Sequence, residues 1–131
     1  MAYADEEYYE NTYGGGVIDI DRLHTRLEEA SVHIDSLTFG RIKGFGFGNL
    51  TEFQQEKIRM VCCKLADWEY QNAEALSGAL TSYSINGVSM SFSKSFGVTS
   101  VNGVVVPKSI LAELSQTGLT TGGRVIWPTQ S

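Results

Sequence analysis

The chain has 131 residues, of which 42% are hydrophobic and 19% are charged, and its formal net charge is −5. This composition is typical of one globular domain with its own core and excludes a disordered chain. The ten basic residues are scattered and no apolar run reaches the length of a membrane span, so neither tight nucleic-acid binding nor membrane insertion is expected.

Two helices are predicted in the first third of the chain. Residues 5–13 predict a short opening helix that Asp5 caps and the glycines at 14–16 terminate. Residues 19–39 predict a longer helix that Asp19 or Asp21 caps. Its apolar positions recur at helical spacing: Ile20, Leu23, Leu27, Ala30, Ile34 and Leu37. This helix has one apolar side, which favours antiparallel pairing with a second long helix.

The second long helix is predicted over residues 51–76. Thr51 and Gln54 have the spacing of a capping box. The apolar stripe consists of Ile58, Val61, Cys62, Leu65, Trp68 and Leu76. Because neighbouring helical residues point about 100° apart, Cys62 and Cys63 are expected as reduced thiols, one in the core and one nearer the surface.

The connection between the two long helices, residues 40–49, contains a glycine and aromatic pattern. Lys43-Gly44-Phe45-Gly46-Phe47 fits the first five positions of the RNP1 signature of RNA-recognition motifs. RNP1 lies on a central strand, however, whereas this segment joins two predicted helices. The simpler interpretation is a glycine-hinged loop with Phe45 and Phe47 packed against the helix pair or a neighbouring subunit.

A β-hairpin is predicted after the second long helix, over residues 80–93. Asn86-Gly87 is the residue pair that a type I′ turn prefers. The turn pairs Ile85 with Val88 and places the apolar residues of both strands on one face. An isolated hairpin is marginally stable in water, so this face must lie on the helices or on another chain.

The last third of the chain predicts shorter elements. Asn102-Gly103 indicates a smaller hairpin or an extended arm over residues 94–107, and Pro107 can open a helix over residues 108–117 at its first turn. The tail is unexpectedly apolar at residues 125–127. Two interpretations of Trp127 stay open, a clamp by a partner and a contact with its own core.

The sequence contains no constellation with catalytic spacing. His24 and His33 are nine residues apart, which does not place two metal ligands on one helix face. Cys62 lies on the apolar stripe, which favours packing over nucleophilic chemistry. We therefore expect a protein without enzymatic activity, metal or cofactor.

Several short pieces of the sequence occur in an order that resembles a known family. They are Tyr13-Gly14-Gly15, Ala30-Ser31, the run Ile34-Asp35-Ser36-Leu37-Thr38-Phe39, Arg41-Ile42, Leu50-Thr51 with Gln55 and Lys57, and Leu114-Ser115-x-Thr117-Gly118-Leu119. From about residue 9 to residue 119 the chain resembles the head–tail adaptor (connector) proteins of tailed bacteriophages. It departs from the family at residues 96–107, where the link before the last helix is longer.

The resemblance implies a structural virion protein of the neck, assembled in the host cytoplasm. It implies a homo-oligomeric ring, typically dodecameric, that docks beneath the portal protein, extends the DNA channel and offers its far side to a stopper or tail-completion protein. DNA passes through such a channel without specific binding. The family's hairpin embraces the next subunit, which here implicates Tyr83, Ile85, Asn86, Gly87, Val88, Met90 and Phe92. Its C-terminus commonly reaches the portal, which implicates Leu119, Arg124, Val125, Ile126 and Trp127.

The expected fold is mainly α. It is a small helical bundle built on two long antiparallel helices, with a β-hairpin in a long loop, a short C-terminal helix and an extended tail. One domain spans residues 1–131, with a helical core at about 5–77 and 108–118, a hairpin arm at about 79–106 and a tail at 119–131. The alternatives are a small nucleic-acid-binding protein that uses Lys43–Phe47, or another small neck component such as a stopper.

Overall fold

The computed structural model describes residues 2–73 and 97–120. Within these ranges the protein is mainly helical, with one small antiparallel two-stranded sheet. The elements are a π-helical segment at Tyr8–Tyr13, α1 (Ile20–Leu37), α2 (Arg41–Phe45), a 3-10 turn at Phe47–Asn49, α3 (Glu52–Gln71), β1 (Val98–Val101), β2 (Val104–Pro107) and α4 (Lys108–Ser115).

Helix α1 packs on α3 through the predicted apolar side, with one exception at its start. Leu23, Leu27 and the later apolar positions are buried, but Ile20 is 56% exposed. The guanidinium of Arg26 already lies over the ring of Tyr70, the second-last residue of α3, at 5.6 Å. The first turn of α1 therefore extends beyond the end of its partner helix, which leaves Ile20 uncovered.

Helix α3 begins as predicted and ends earlier than predicted. The Gln54 amide donates to Thr51 Oγ1 at 3.1 Å and the Thr51 amide donates to Gln54 Oε1 at 2.9 Å, which confirms the capping box. The helix ends at Gln71 and not at residue 76. At this end the side-chain amide of Asn72 also donates to the Trp68 carbonyl, at 2.8 Å, and so caps the last turn. Leu76 lies outside the described residues.

Both cysteines are buried in α3, so the prediction that one lies near the surface is wrong. Cys62 faces α1, where its sulfur lies 3.4 Å from Ser31 Oγ. A segment that the apolar stripe could not reveal covers the neighbouring side of α3. We call residues 2–13 the N-terminal strap; it contains the π-helical segment and packs against α3.

Strands β1 and β2 confirm the smaller hairpin, with Val98 opposite Pro107 and Val101 opposite Val104. Asn102 and Gly103 form its turn with φ values of 50° and 81°, both in the left-handed region that a type I′ turn requires. The hairpin is part of the core and not of an extended arm, because Val98, Val104 and Val106 are buried and β2 packs against α1 and α4. Pro107 precedes α4 as its N-cap and does not lie in its first turn.

Helix α4 closes the core against α3. Ile110 and Leu114 are buried, and Gly118 ends the segment with a φ of 78°. Leu119, which the resemblance assigned to the docking tail, is 1% exposed and belongs to the hydrophobic core. The Arg41 side chain donates to the Leu119 carbonyl at 3.0 Å. A portal-docking role for Leu119 is therefore not compatible with its position.

Candidate interaction site

Most residues that the sequence implicated in assembly lie outside the described part of the chain. This holds for the predicted hairpin and for the apolar tail: Tyr83, Ile85, Asn86, Gly87, Val88, Met90, Phe92, Arg124, Val125, Ile126 and Trp127. Phe45, Phe47 and Leu119 are described, and Leu119 is a core residue.

The segment that resembles RNP1 is helical. Residues Arg41–Phe45 form α2 and Phe47–Asn49 form a 3-10 turn, so no strand presents these aromatic rings. Phe45 and Phe47 are half-buried and pack against the core, as predicted. The predicted glycine-hinged loop is wrong, because α2 and the 3-10 turn occupy most of the connection. The Phe47 ring stacks on the Tyr3 ring with 5.3 Å between centroids, and the Arg59 guanidinium lies 5.2 Å from its centroid. Side chains of the protein thus already contact the ring on which an RNA base would have to stack.

The strap is fastened to the two long helices by hydrogen bonds between phenols and carboxylates. The pairs are Tyr3 with Asp35, Tyr8 with Glu56 at 2.5 Å, Tyr9 with Asp67 at 2.5 Å and Tyr13 with Asp67 at 2.8 Å. Asp35 belongs to α1 and the other two acceptors belong to α3, so the strap bridges both helices. Hydrogen bonds to an ionised acceptor are about twice as strong as neutral ones.

Burial and the carboxylates act together on these phenols. Desolvation by burial, followed by the hydrogen bond to Asp67, raises the pKa of Tyr9 to about 12. Burial, followed by the hydrogen bond of each phenol to its own carboxylate, likewise raises the pKa values of Tyr3, Tyr8 and Tyr13 well above the ordinary phenol value. Each phenol therefore stays a neutral donor through the physiological range of pH.

The backbone of the strap is also tied to the core. Ala4 is buried, and the Tyr3 amide donates to Ser31 Oγ at 2.9 Å. The same Ser31 oxygen lies 3.4 Å from the sulfur of Cys62. Burial raises the pKa of the Cys62 thiol. The thiol is therefore held in its neutral form and packs in the core.

An open groove of about 810 Å³ lies between the strap and the α2–α3 side of the fold. Its lining consists of Ala2, Tyr3, Asp5, Glu7, Tyr8, Asn11, Thr12, Lys43, Phe47 and Arg59. Both cations already face carboxylates, Lys43 toward Asp35 at 3.6 Å and Arg59 toward Glu56 at 3.9 Å. The groove therefore lacks the unbalanced positive charge that phosphate binding requires.

A histidine–carboxylate pair joins α1 and α3 near the end of α3. His33 Nδ1 lies 2.5 Å from Glu69 Oε2, and Glu69 is only 6% exposed. The hydrogen bond to Glu69 raises the pKa of His33 above its ordinary value against the opposing effect of burial. His33 is thus a rim residue, as its sequence position suggested, with an ion-pair role that the spacing of histidines could not show.

Two large aromatic side chains are exposed, Phe39 just after α1 and Phe53 in the first turn of α3. Phe39 is 46% exposed beneath the Arg41 guanidinium, and Phe53 is 55% exposed beside the Lys57 ammonium. The preceding helix α1 ends at this point, and Phe39 itself has a left-handed φ of 58°. A left-handed φ is uncommon at a residue other than glycine, so the turn after α1 carries some backbone strain at Phe39.

The described residues contain no group of three or more side chains able to hold a metal ion. No helix in residues 2–73 or 97–120 has both the length and the apolar character needed to cross a membrane. The sequence placed a short helix in the strap but did not predict which residues of α1 and α3 its tyrosines contact. The one signal for these contacts was the abundance of tyrosines among residues 3–13, which identifies donors but not their distant acceptors.

Comparison with known proteins returned no matching family model, no matching curated protein and no matching solved structure.

Proposed function

We propose that this protein is a structural component of a tailed-bacteriophage neck, a head–tail adaptor that forms a ring beneath the portal. The proposal includes a small helical bundle on two long antiparallel helices as the ring-forming unit. It assigns the region of residues 83–92 to contacts between subunits and the region of residues 124–127 to the portal.

The observation that carries the proposal is the order of the sequence pieces between residues 9 and 119. Their places in the fold are consistent with shared structural needs: Tyr13-Gly14-Gly15 ends the strap, and Leu50-Thr51 begins α3. Leu114 to Leu119 closes the core through α4. A family likeness at positions with such packing roles favours a common architecture over a chance match.

The exposed phenylalanines are a further argument for a protein that acts by contacting other proteins. Phe39 and Phe53 are large apolar side chains held in solvent, each beside a cation. Interface cores are enriched in aromatic residues and arginine. The nucleic-acid alternative has less support, because α2 and the 3-10 turn replace the strand that RNP1 requires and Phe47 is engaged by Tyr3 and Arg59.

The test is binding to purified portal rings by co-sedimentation and imaging. We expect the full chain to add a ring of density beneath the portal. A chain that ends at Thr120 keeps Leu119 in the core, so it is expected to fold and to lose portal binding. Trp127→Ala should weaken binding strongly, whereas Thr129→Ala in the same tail is the matched control.

The outcomes separate the candidate functions. Undiminished binding by the chain that ends at Thr120 would remove the tail from the portal contact. Binding only to a tail-completion protein would identify another neck component. Absence from the particle neck, together with a salt-dependent gel shift on RNA, would overturn the adaptor function in favour of the nucleic-acid alternative.

A further inference from the structure

The contacts of the strap fall into two classes, those with the body of the fold and those with the glycines that join the strap to α1. Those that fasten its side chains and backbone involve α1 and α3, at sequence separations between 28 and 58 residues. The Tyr9 phenol also accepts from the amides of Val17 and Ile18, at 3.2 Å each. We call the surface that these groups of α1, α3 and residues 17 and 18 form beneath the strap the slot. Ile18 is part of the core, so this surface belongs to the body of the fold and not to the strap.

The second class ties the strap to the glycines that connect it to α1. The Gly15 amide donates to the Tyr9 carbonyl at 2.8 Å, and Gly15 lies directly against the Tyr9 ring. The Gly14 amide also donates to that carbonyl, but it closes the π-helical segment and would move with the strap. A β-carbon added at Gly14 or at Gly16 would meet nothing within 4 Å. Three consecutive glycines with open space at two of them can adopt many backbone conformations at little cost.

We propose that the N-terminal strap is exchanged between copies of this chain, so that residues 2–13 of one copy occupy the α1–α3 slot of another. The occupant is a second copy because the slot is complementary to this particular sequence. It holds a buried site for Ala4 and carboxylates in reach of four tyrosines. The inference does not depend on the adaptor function.

The energetic argument is that exchange preserves nearly all of the stabilising interactions. The phenol–carboxylate bonds, the Ser31 bond and the Tyr9 bonds to residues 17 and 18 form identically when the strap comes from another copy. Exchange breaks the interactions between Gly15 and Tyr9 of the same copy. A strap on a short linker competes at an effective concentration on the order of 1 mM. The closed form therefore dominates in dilute solution, and exchange becomes substantial as the concentration of the chain approaches that value.

The test uses the native cysteine beneath the strap. One chain carries Ala4→Cys with Cys62→Ser and Cys63→Ser, so its only thiol is on the strap. The second chain carries Cys63→Ser alone, so its only thiol is Cys62 in the slot. The Tyr3 amide donates to Ser31 Oγ, and that oxygen lies 3.4 Å from the Cys62 sulfur. Residue 4, the buried neighbour of Tyr3, is therefore close to Cys62 of the second chain only when the strap of the first chain fills that slot.

The positive control is a single chain with Ala4→Cys and Cys63→Ser, which should form an intrachain disulfide on oxidation. Mixed at increasing concentration and then oxidised, the two test chains should give a disulfide-linked dimer whose fraction rises at least tenfold as the concentration approaches about 1 mM. The Ala4→Cys variants are retained only if their circular dichroism matches that of the parent chain.

Three results would overturn the proposal. One is an intrachain disulfide in the control with no linked dimer in the mixture at any concentration. Another is a control chain that folds and does not oxidise, because the strap would then not lie over Cys62. If Ala4→Cys prevents folding, Tyr8→Cys and Glu56→Cys on separate chains without native cysteines, joined by a short bis-maleimide, measure the same exchange. Failure of that pair to link would have the same meaning.

Discussion

The close contact between Gly15 and Tyr9 predicts that Gly15→Ala destabilises the protein. A β-carbon at Gly15 would lie 2.4, 2.6 and 2.7 Å from three ring carbons of Tyr9. Since carbon atoms prefer about 3.5–4.0 Å, the ring would have to move by roughly 1 Å. Tyr9 cannot move without loss, because its phenol donates to Asp67 at 2.5 Å and the ring is buried.

The expected cost combines two effects. Overpacking a filled core costs about 1–3 kcal/mol, and a distorted hydrogen bond to a carboxylate adds about 1 kcal/mol. We therefore expect the free energy of unfolding to fall by about 2–4 kcal/mol. For a chain of this length that corresponds to a decrease in melting temperature of roughly 8 °C.

Gly16→Ala is the matched control, since its β-carbon would meet nothing within 4 Å and its backbone lies outside the left-handed region. The same alanine there should be neutral or stabilising by up to about 1 kcal/mol, because it restricts the unfolded chain. Urea denaturation followed by circular dichroism measures both variants. Equal effects of the two substitutions would refute the argument, since a steric contact with Tyr9 could not then be the cause.

Three further outcomes are expected. Tyr9→Phe should lower the free energy of unfolding at neutral pH by about 2 kcal/mol. Because the raised pKa of Tyr9 favours the neutral folded phenol, the parent chain loses this stability between pH 10 and about 12, and the variant should not. An unchanged alkaline unfolding curve would contradict this. Since the pKa of His33 is also raised, its pairing with Glu69 should stabilise the fold fully below pH 6.5 and less as pH rises through the folded-state pKa. His33→Gln should flatten this pH profile of stability and cost about 1–2 kcal/mol in acid. An identical profile would count against the pair. A chain cut immediately before Leu119 should lose about 2–4 kcal/mol relative to one that ends a residue after it, as thermal melts would show; equal melting temperatures would mean that Leu119 is not a core residue.

Local signals in the sequence predicted much of the helical architecture. The capping box at Thr51 and the turn at Asn102-Gly103 were correct because both depend on residues within a few positions of each other. The apolar stripe of α1 was correct wherever α3 covers it. The end of α3 was misplaced, because a single asparagine side chain caps the helix while the apolar pattern continues beyond it.

By itself the sequence determined the two long helices, the turn of the small hairpin and α4, since short-range hydrogen bonds and periodicity decide these. It did not predict α2, which lies in the connection expected to be a loop. Only the tertiary structure decided that both cysteines are buried, that Leu119 belongs to the core and that the strap is bound by distant carboxylates. These features depend on pairs of residues up to 78 positions apart, such as Arg41 and Leu119. No local pattern encodes which donor meets which acceptor at that separation, because the meeting is a property of how the helices pack.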